Sequence, residues 1–418
     1  MAILRRLVTP ATEFRARSTS PTHNFLLRLA ELLHHYGTPA FRLERVLIKV
    51  AASLGVEGEF LSTPTSVMVS LGTGTDKEMH LVRGNSGEVN LGKLVEFDEV
   101  MEDVEHGRTE VVQASARLEA IESRATGYPF LVTVLAFGLA SAGAARFFGG
   151  GLAEMGMTFL LSVGALMLGR VLTRRADTVD LFEPVAAFLV AFAATSGSHL
   201  PGIAYNEKTV TLASLIVFLP GLTLTTALNE LATRHLVSGV SRLAGSFAIF
   251  LTLLFGVALG WRLGIECFGA FGTAEIQALP EWTLWLTAGI APFAFGILLD
   301  ARPRELPVIF IAGFIGFLGV TLGSAVVGSD LAPFLGALLV GLVSNTYARL
   351  SNRPAIVPMT PGIFMLVPGS FGFRSLTSFL ERDALVGIDF AFQTGLVAIS
   401  LVGGLLAANV VMPPRRVM

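Results

Sequence analysis

An apolar stretch from about residue 209 to 233 is long enough to cross a bilayer, yet Pro220-Gly221 interrupts it and Thr223, Thr225 and Thr226 follow at once. In hydrocarbon every backbone N–H and C=O needs a partner inside its own segment. A break is therefore tolerated only where the freed groups face protein, water or a ligand. A second apolar stretch, 355 to 380, is interrupted at Pro361-Gly362 and again at Pro368-Gly369. Two breaks in corresponding positions of two halves point to a transport site.

The composition agrees with a membrane solvent: 52% of residues are hydrophobic, 15% are charged, glycine counts 44, and mean hydropathy is +0.67. A formal net charge of −2 offers no basic face for nucleic acid. Cys267 is the sole cysteine, which rules out an intramolecular disulfide and a thiolate metal cluster; no cofactor or metal is expected.

Charge is distributed unevenly. Residues 1–21, with Arg5, Arg6, Arg15 and Arg17, read as a disordered basic tail without the apolar core of a secretory signal. Residues 22–126 read as a cytosolic α+β domain: two helices (Phe25 to Leu33, then Ala40 to Leu54), alternating segments at Glu59 to Thr63, Ser66 to Leu71 and Met79 to Arg83, and two helices at about Leu94 to His106 and Thr109 to Ser123. His34-His35 beside Glu31, and Ser86 in a Gly-rich turn, lack a nucleophile motif on a strand-to-helix turn, so an enzyme is not expected.

With ~20 apolar residues per crossing, ten spans are expected: 128–148, 152–172, 183–200, 209–233, 241–261, 283–299, 306–327, 331–349, 355–380 and 389–412. The arginine pairs 174/175, 234/242, 302/304, 349/353 and 415/416 then fall on the side of the N-terminal domain, while the opposite loops hold Glu207, Glu266, Glu275, Glu281 and Asp330. This places both termini in the cytoplasm, with Arg374 and Arg382 as exceptions. The broken spans are the fourth and the ninth. Each follows a span that opens near a proline (Pro184, Pro333) and closes in small polar residues (Thr195-Ser196-Gly197-Ser198; Ser344-Asn345-Thr346). Five spans per copy is an odd number, so residues 127–268 and 269–418 are expected to form inverted repeats working by alternating access.

The expected substrate site lies between the broken helices and the polar ends of the preceding spans. Pro220 and Gly221 start a half-helix whose free amides suit a carboxylate. Thr223, Thr225, Thr226, Ser196, Asn345, Thr360, Pro361 and Gly362 complete it, although such hydroxyls also bond back to their own helix. Glu230 and Glu183 are the candidate proton carriers. Their alternatives are a Glu230–Arg234 ion pair and a helix-start acid before Pro184. Asp300 reads as a loop acid beside Arg302 and Arg304, and His199 and His235 as interfacial residues. Gly313, Gly316 and Gly319 fit either homo-oligomer contacts or internal packing.

The segment Pro220-Gly221-Leu222-Thr223-Leu224-Thr225-Thr226-Ala227-Leu228-Asn229-Glu230-Leu231, continuing through His235, Ser238-Gly239 and Arg242-Leu243, resembles the threonine/serine exporter family. Val357-Pro358-Met359-Thr360-Pro361-Gly362 is similar to the signature of that family's smaller half. The run Leu32-Leu33-His34-His35-Tyr36-Gly37-Thr38 with Arg42, Glu44 and Arg45, then Thr63-Pro64-Thr65-Ser66, resembles its cytosolic domain. The resemblance covers the chain from about Thr22 and implies a natural fusion of two halves that are separate polypeptides in some bacteria. It implies proton-driven export of threonine and serine across the cytoplasmic membrane, with succinate-like dicarboxylates as an alternative cargo. A membrane receptor with a signalling domain is the alternative from another class.

Overall fold

The computed structural model describes residues 18, 20–84, 89–124, 127–172, 181–199, 204–269, 277–366 and 369–414. Most of the basic tail, Ser86, Arg174, Arg175, Glu275, Pro368, Arg415 and Arg416 lie outside them.

The N-terminal part starts with α1 (Pro21–His35), whose N-cap Ser20 accepts from the His23 amide, and α2 (Ala40–Ser53), which has no side-chain cap of its own. Strands β1 (Gly58–Thr63), β2 (Ser66–Leu71) and β3 (Glu78–Arg83) form an antiparallel sheet in that order. Alternation sets its faces: Val67, Val69 and Leu71 are buried while Met68 is exposed. Helices α3 (Leu91–Glu105), capped by Asn90, and α4 (Val111–Ser123) complete the layer. Phe25, Leu29, Leu33, Leu47, Val69 and Phe97 share one apolar core with Ala301, Ile309, Ile356 and Val357 from the second half of the chain. The N-terminal part is thus packed onto the helical bundle.

The bundle comprises α5 (Phe130–Phe147), α6 (Leu152–Leu172), α7 (Phe182–Ser198), α8 (Glu207–Ser214), α9 (Gly221–Ala232), α10 (Leu236–Phe268), α11 (Trp282–Leu298), α12 (Leu306–Val327), α13 (Ala332–Ser351), α14 (Ile356–Phe364), α15 (Gly369–Leu380) and α16 (Ala384–Val411). By length and composition, 6 helical segments among the described residues can cross a membrane, with Ile356–Leu380 taken together. The count rises to 7 if α8 and α9, bent by 42° at their break, form one span. Helices α7 and α11 are shorter and apolar. The chain is a polytopic helical membrane protein.

Glycine lets two helix pairs approach to backbone contact. A Cβ on Gly256 of α10 would collide with the Pro184 carbonyl of α7, and one on Gly404 of α16 would collide with the Phe334 carbonyl of α13. Gly256 follows its helix start at 236 by twenty residues, and Gly404 follows its start at 384 by the same twenty; each meets the third residue of its partner helix. Gly260 and Gly264 continue the first seam against Phe188 and Thr195. Gly313, Gly316 and Gly319 meet Pro292, Val340 and Leu339, so all three serve internal packing.

Candidate functional site

The first break has the geometry that the sequence predicts. After α8 a short 3-10 turn, Ile216–Phe218, leads to Pro220 at the N-cap of α9. The Gly221 amide turns back to the Leu219 carbonyl at 2.8 Å, and the helix ladder begins only with Leu224 N–H to Pro220 O at 2.9 Å. Leu222 and Thr223 are therefore first-turn amides with no acceptor in the helix.

The second break is displaced. Pro361 and Gly362 lie inside α14, which runs on to Phe364. A proline in a helix forfeits its own N–H bond, and the surrounding bundle holds this turn in place: both residues are buried, and Gly362 is pressed against Val340. The chain leaves the helix after Phe364 and re-enters at Gly369. Gly369 touches the first break directly: a Cβ there would lie 3.3 Å from Gly221 Cα and 3.5 Å from Leu219 Cβ. Helix α9 also contacts α14, α15 and α16.

The other expected site residues separate. Thr225 is buried and its hydroxyl donates to the Gly221 carbonyl of its own helix at 3.1 Å. Thr223 and Thr226 are half-buried on α9, and Thr360 is buried on α14. Ser196 donates back to the Ala193 carbonyl. Its neighbour Thr195 packs on Gly264, at the end of the 33-residue α10 far from the N-terminal part. Asn345 lies at the opposite end, where its Nδ2 donates to Asn409 Oδ1 (3.0 Å) and the Met412 carbonyl (2.7 Å). A single cleft cannot hold both. Glu183 is buried in the first turn of α7. His199 Nδ1 donates to the Thr195 carbonyl at 2.9 Å.

Glu230 is bonded through both of its carboxylate oxygens. It is fully buried; Oε1 accepts from the Ala40 amide at 2.9 Å, Oε2 accepts from the Ser238 hydroxyl at 2.8 Å, and Arg242 Nε donates to both oxygens at 3.1 and 3.0 Å. The expected partner Arg234 is not the one used. Arg234 has φ +65° in the turn between α9 and α10, so the chain reverses there and α10 brings Ser238 and Arg242 back across Glu230. Because α2 lacks a cap of its own, Glu230 caps a helix 190 residues away. Beside it, His235 Nε2 lies 3.2 Å from Glu44 Oε2, and Glu44 Oε1 accepts from the Ser62 amide. Arg42 Nη2 reaches Met359 Sδ on α14 at 3.0 Å. The start of α2 is wedged between the two broken segments.

The start of α3 docks on the second half. Leu91 and Gly92 amides donate to the Leu299 and Asp300 carbonyls at 2.9 and 3.0 Å, and Asn90 Nδ2 donates to Asp300 Oδ2 at 2.9 Å. Arg302 pairs with Glu96 and Glu99, and Asn352 Nδ2 donates to Glu102. Arg42 and Ser238 stood in the sequence only within the family resemblance, and Arg242 otherwise only as a loop arginine in the orientation argument; a contact across some 200 residues leaves no local pattern to read.

Helices long and apolar enough to cross a bilayer, interrupted where two of them meet, fit the architecture of a membrane transporter. Two family models, both for threonine/serine exporters, match residues 24–264 and 285–411. The chain belongs to the threonine/serine exporter family, with both modules fused in one polypeptide. It is also similar to proteins named pheromone-regulated membrane protein 10. The Eremothecium gossypii protein is 28% identical over 94% of this chain and 56% of its own length. The Candida glabrata protein is 30% identical over 87% and 47%, and the Saccharomyces cerevisiae protein 29% over 86% and 47%. The chain thus spans about half the length of these relatives. No solved structure matches it.

Proposed function

We propose that this protein is a secondary active exporter of small hydrophilic amino acids, threonine and serine, working by proton antiport and alternating access between two inverted five-helix repeats. The observation that carries this reading is the contact of Gly221 with Gly369, which joins the two breaks at one point. The matching glycine seams at Gly256 and Gly404 support the repeat, since each joins the third and fifth spans of its half. Residues 127–268 and 269–418 are then the two copies, and residues 22–126 a cytosolic domain. The clustering of Arg302, Arg242 and Arg353 at the end that carries the N-terminal part supports cytoplasmic termini in the cell membrane.

Glu230 couples the proton in this scheme. As a carboxylate it holds Ala40 and Arg242; protonated, it loses the charge that both favour, and α2 is released from α9. Glu183 is a second candidate on α7. The test is flux in proteoliposomes under an imposed pH gradient, with threonine, serine and succinate as cargo. Threonine and serine flux that collapses with the gradient supports the reading. No flux of any of the three refutes it. Succinate flux alone transfers the site to a dianion, for which half-buried Arg374, stacked on Phe148, is the available extra cation.

A further inference from the structure

Three polar atoms are shut off from solvent and without a hydrogen-bond partner among the described residues at one junction: Thr38 Oγ1, Arg42 Nη1 and Asn229 Oδ1. All lie within two residues of the Ala40–Glu230 bond, Thr38 and Arg42 on either side of Ala40 and Asn229 next to Glu230. Leaving such groups unpaired in a folded interior is costly, and most costly for a guanidinium. Their chemistry is complementary: Arg42 is a cationic donor, Asn229 offers a carbonyl acceptor, and a threonine hydroxyl both donates and accepts. Arg42 is anchored by its other terminal nitrogen to Met359, one residue before Thr360 on the second broken segment.

We infer that the junction of α2, α9 and α14 is a receiving site for a zwitterionic hydroxy-amino acid at the inner mouth of the transport path. Arg42 takes the carboxylate, Asn229 the ammonium and Thr38 the side-chain hydroxyl. The cytosolic domain then supplies two of the three recognition groups and is part of the binding site. Burial, with Arg45 beside it, pushes the Arg42 guanidinium down to about 10, which leaves it charged at neutral pH. Glu230 and Arg242 neutralise each other, His235 faces Glu44 and Arg45 is exposed, which leaves Arg42 Nη1 as a shut-in cationic donor for an anion here. From this junction to the Gly221–Gly369 contact, α9 rises roughly 14 Å, with half-buried Thr223 and Thr226 along it.

This inference rests on the exporter reading, and the test separates the two. Binding of threonine, threoninol, which lacks the carboxylate, and 3-hydroxybutyrate, which lacks the ammonium, is measured calorimetrically on the full chain in nanodiscs. Wild type should prefer threonine over both. Arg42→Gln should lose about 10- to 100-fold in threonine affinity, the worth of one charge-assisted hydrogen bond, and with it the preference over threoninol. Asn229→Ala should lose the preference over 3-hydroxybutyrate alone. Arg42→Lys, which keeps the charge, should stay within severalfold of wild type and serves if Arg42→Gln does not fold. Unchanged preferences in folded variants overturn the site while leaving the exporter reading intact. A wild-type protein that binds neither threonine nor serine overturns both.

Discussion

Neutralising Glu230 should cost more than any other single charge change in the bundle. The carboxylate is fully buried and receives four donor contacts: one from Ala40, one from Ser238 and two from Arg242. Glu230→Gln keeps the shape but replaces one accepting oxygen by a donor that faces donors, and it takes the carboxylate charge away from Arg242, itself only 9% exposed. Breaking a buried ion pair by removing one partner costs about 3–5 kcal/mol, and loss of the charged cap on α2 adds about 1 kcal/mol. Over 418 residues the unfolding entropy is about 0.9 kcal/mol/K, so a loss of about 4–6 kcal/mol lowers the melting temperature by roughly 5–7 °C. The assay is thermal unfolding in detergent, together with amide exchange at residues 40–43. The double variant Glu230→Gln/Arg242→Met should recover a large part of the loss, because the guanidinium that faced the carboxylate is gone as well. If the single variant melts within 1 °C of wild type, or amide exchange at Ala40 is unchanged, the docking role argued for Glu230 is wrong.

Gly369→Val should abolish flux while the protein stays folded, since its branched side chain would enter the contact with Gly221; normal flux would show that the two breaks do not work as a unit. Gly256→Val should destabilise by at least about 1–3 kcal/mol through overpacking, because α10 must move off the Pro184 carbonyl; differential scanning calorimetry reads the loss, and an unaltered transition refutes the seam. Burial holds His34, 2% exposed, below its ordinary 6.5. The unfolded chain therefore binds more protons just below pH 6.5, and the stability this residue supports is complete above 6.5 and falls as pH drops. Burial also raises the Glu31 carboxyl, which acts with the opposite sign by losing stability as pH rises through its folded value. His34→Gln should thus flatten the fall in melting temperature between pH 7.5 and 5.5, and an identical slope would refute the assignment.

The helices were legible in the sequence wherever apolar runs have clear ends, and the first break was legible because Pro220-Gly221 coincides with the start of α9. Pro361-Gly362 misled for a physical reason: one missing amide does not end a helix whose other contacts hold, so α14 continues and the chain turns only after Phe364. The partner of Glu230 was misplaced because helical spacing points to Arg234, whereas a left-handed residue in the turn hands the role to Arg242. Ser196 and Asn345 share a sequence pattern but lie at opposite ends of the bundle, which is where the proposed inversion of the two halves would carry them. Hydroxyl-rich helix ends thus do not by themselves mark one site.

The two docks of the N-terminal part differ in kind. At α3, alongside the Arg302 ion pairs to Glu96 and Glu99 and the Asn90–Asp300 bond, neutral carbonyls of Leu299 and Asp300 accept the backbone amides, and the approach is close enough that a Cβ on Gly92 would lie 2.9 Å from the Asp300 oxygen. At α2, the grip depends on the charge of one carboxylate. A strut riveted at one end and latched at the other does not share movement evenly. In the alternating-access scheme proposed above, the N-terminal part would travel with the second half as one body and the first half would swing against it, which confines sliding to the seam between α2 and α9.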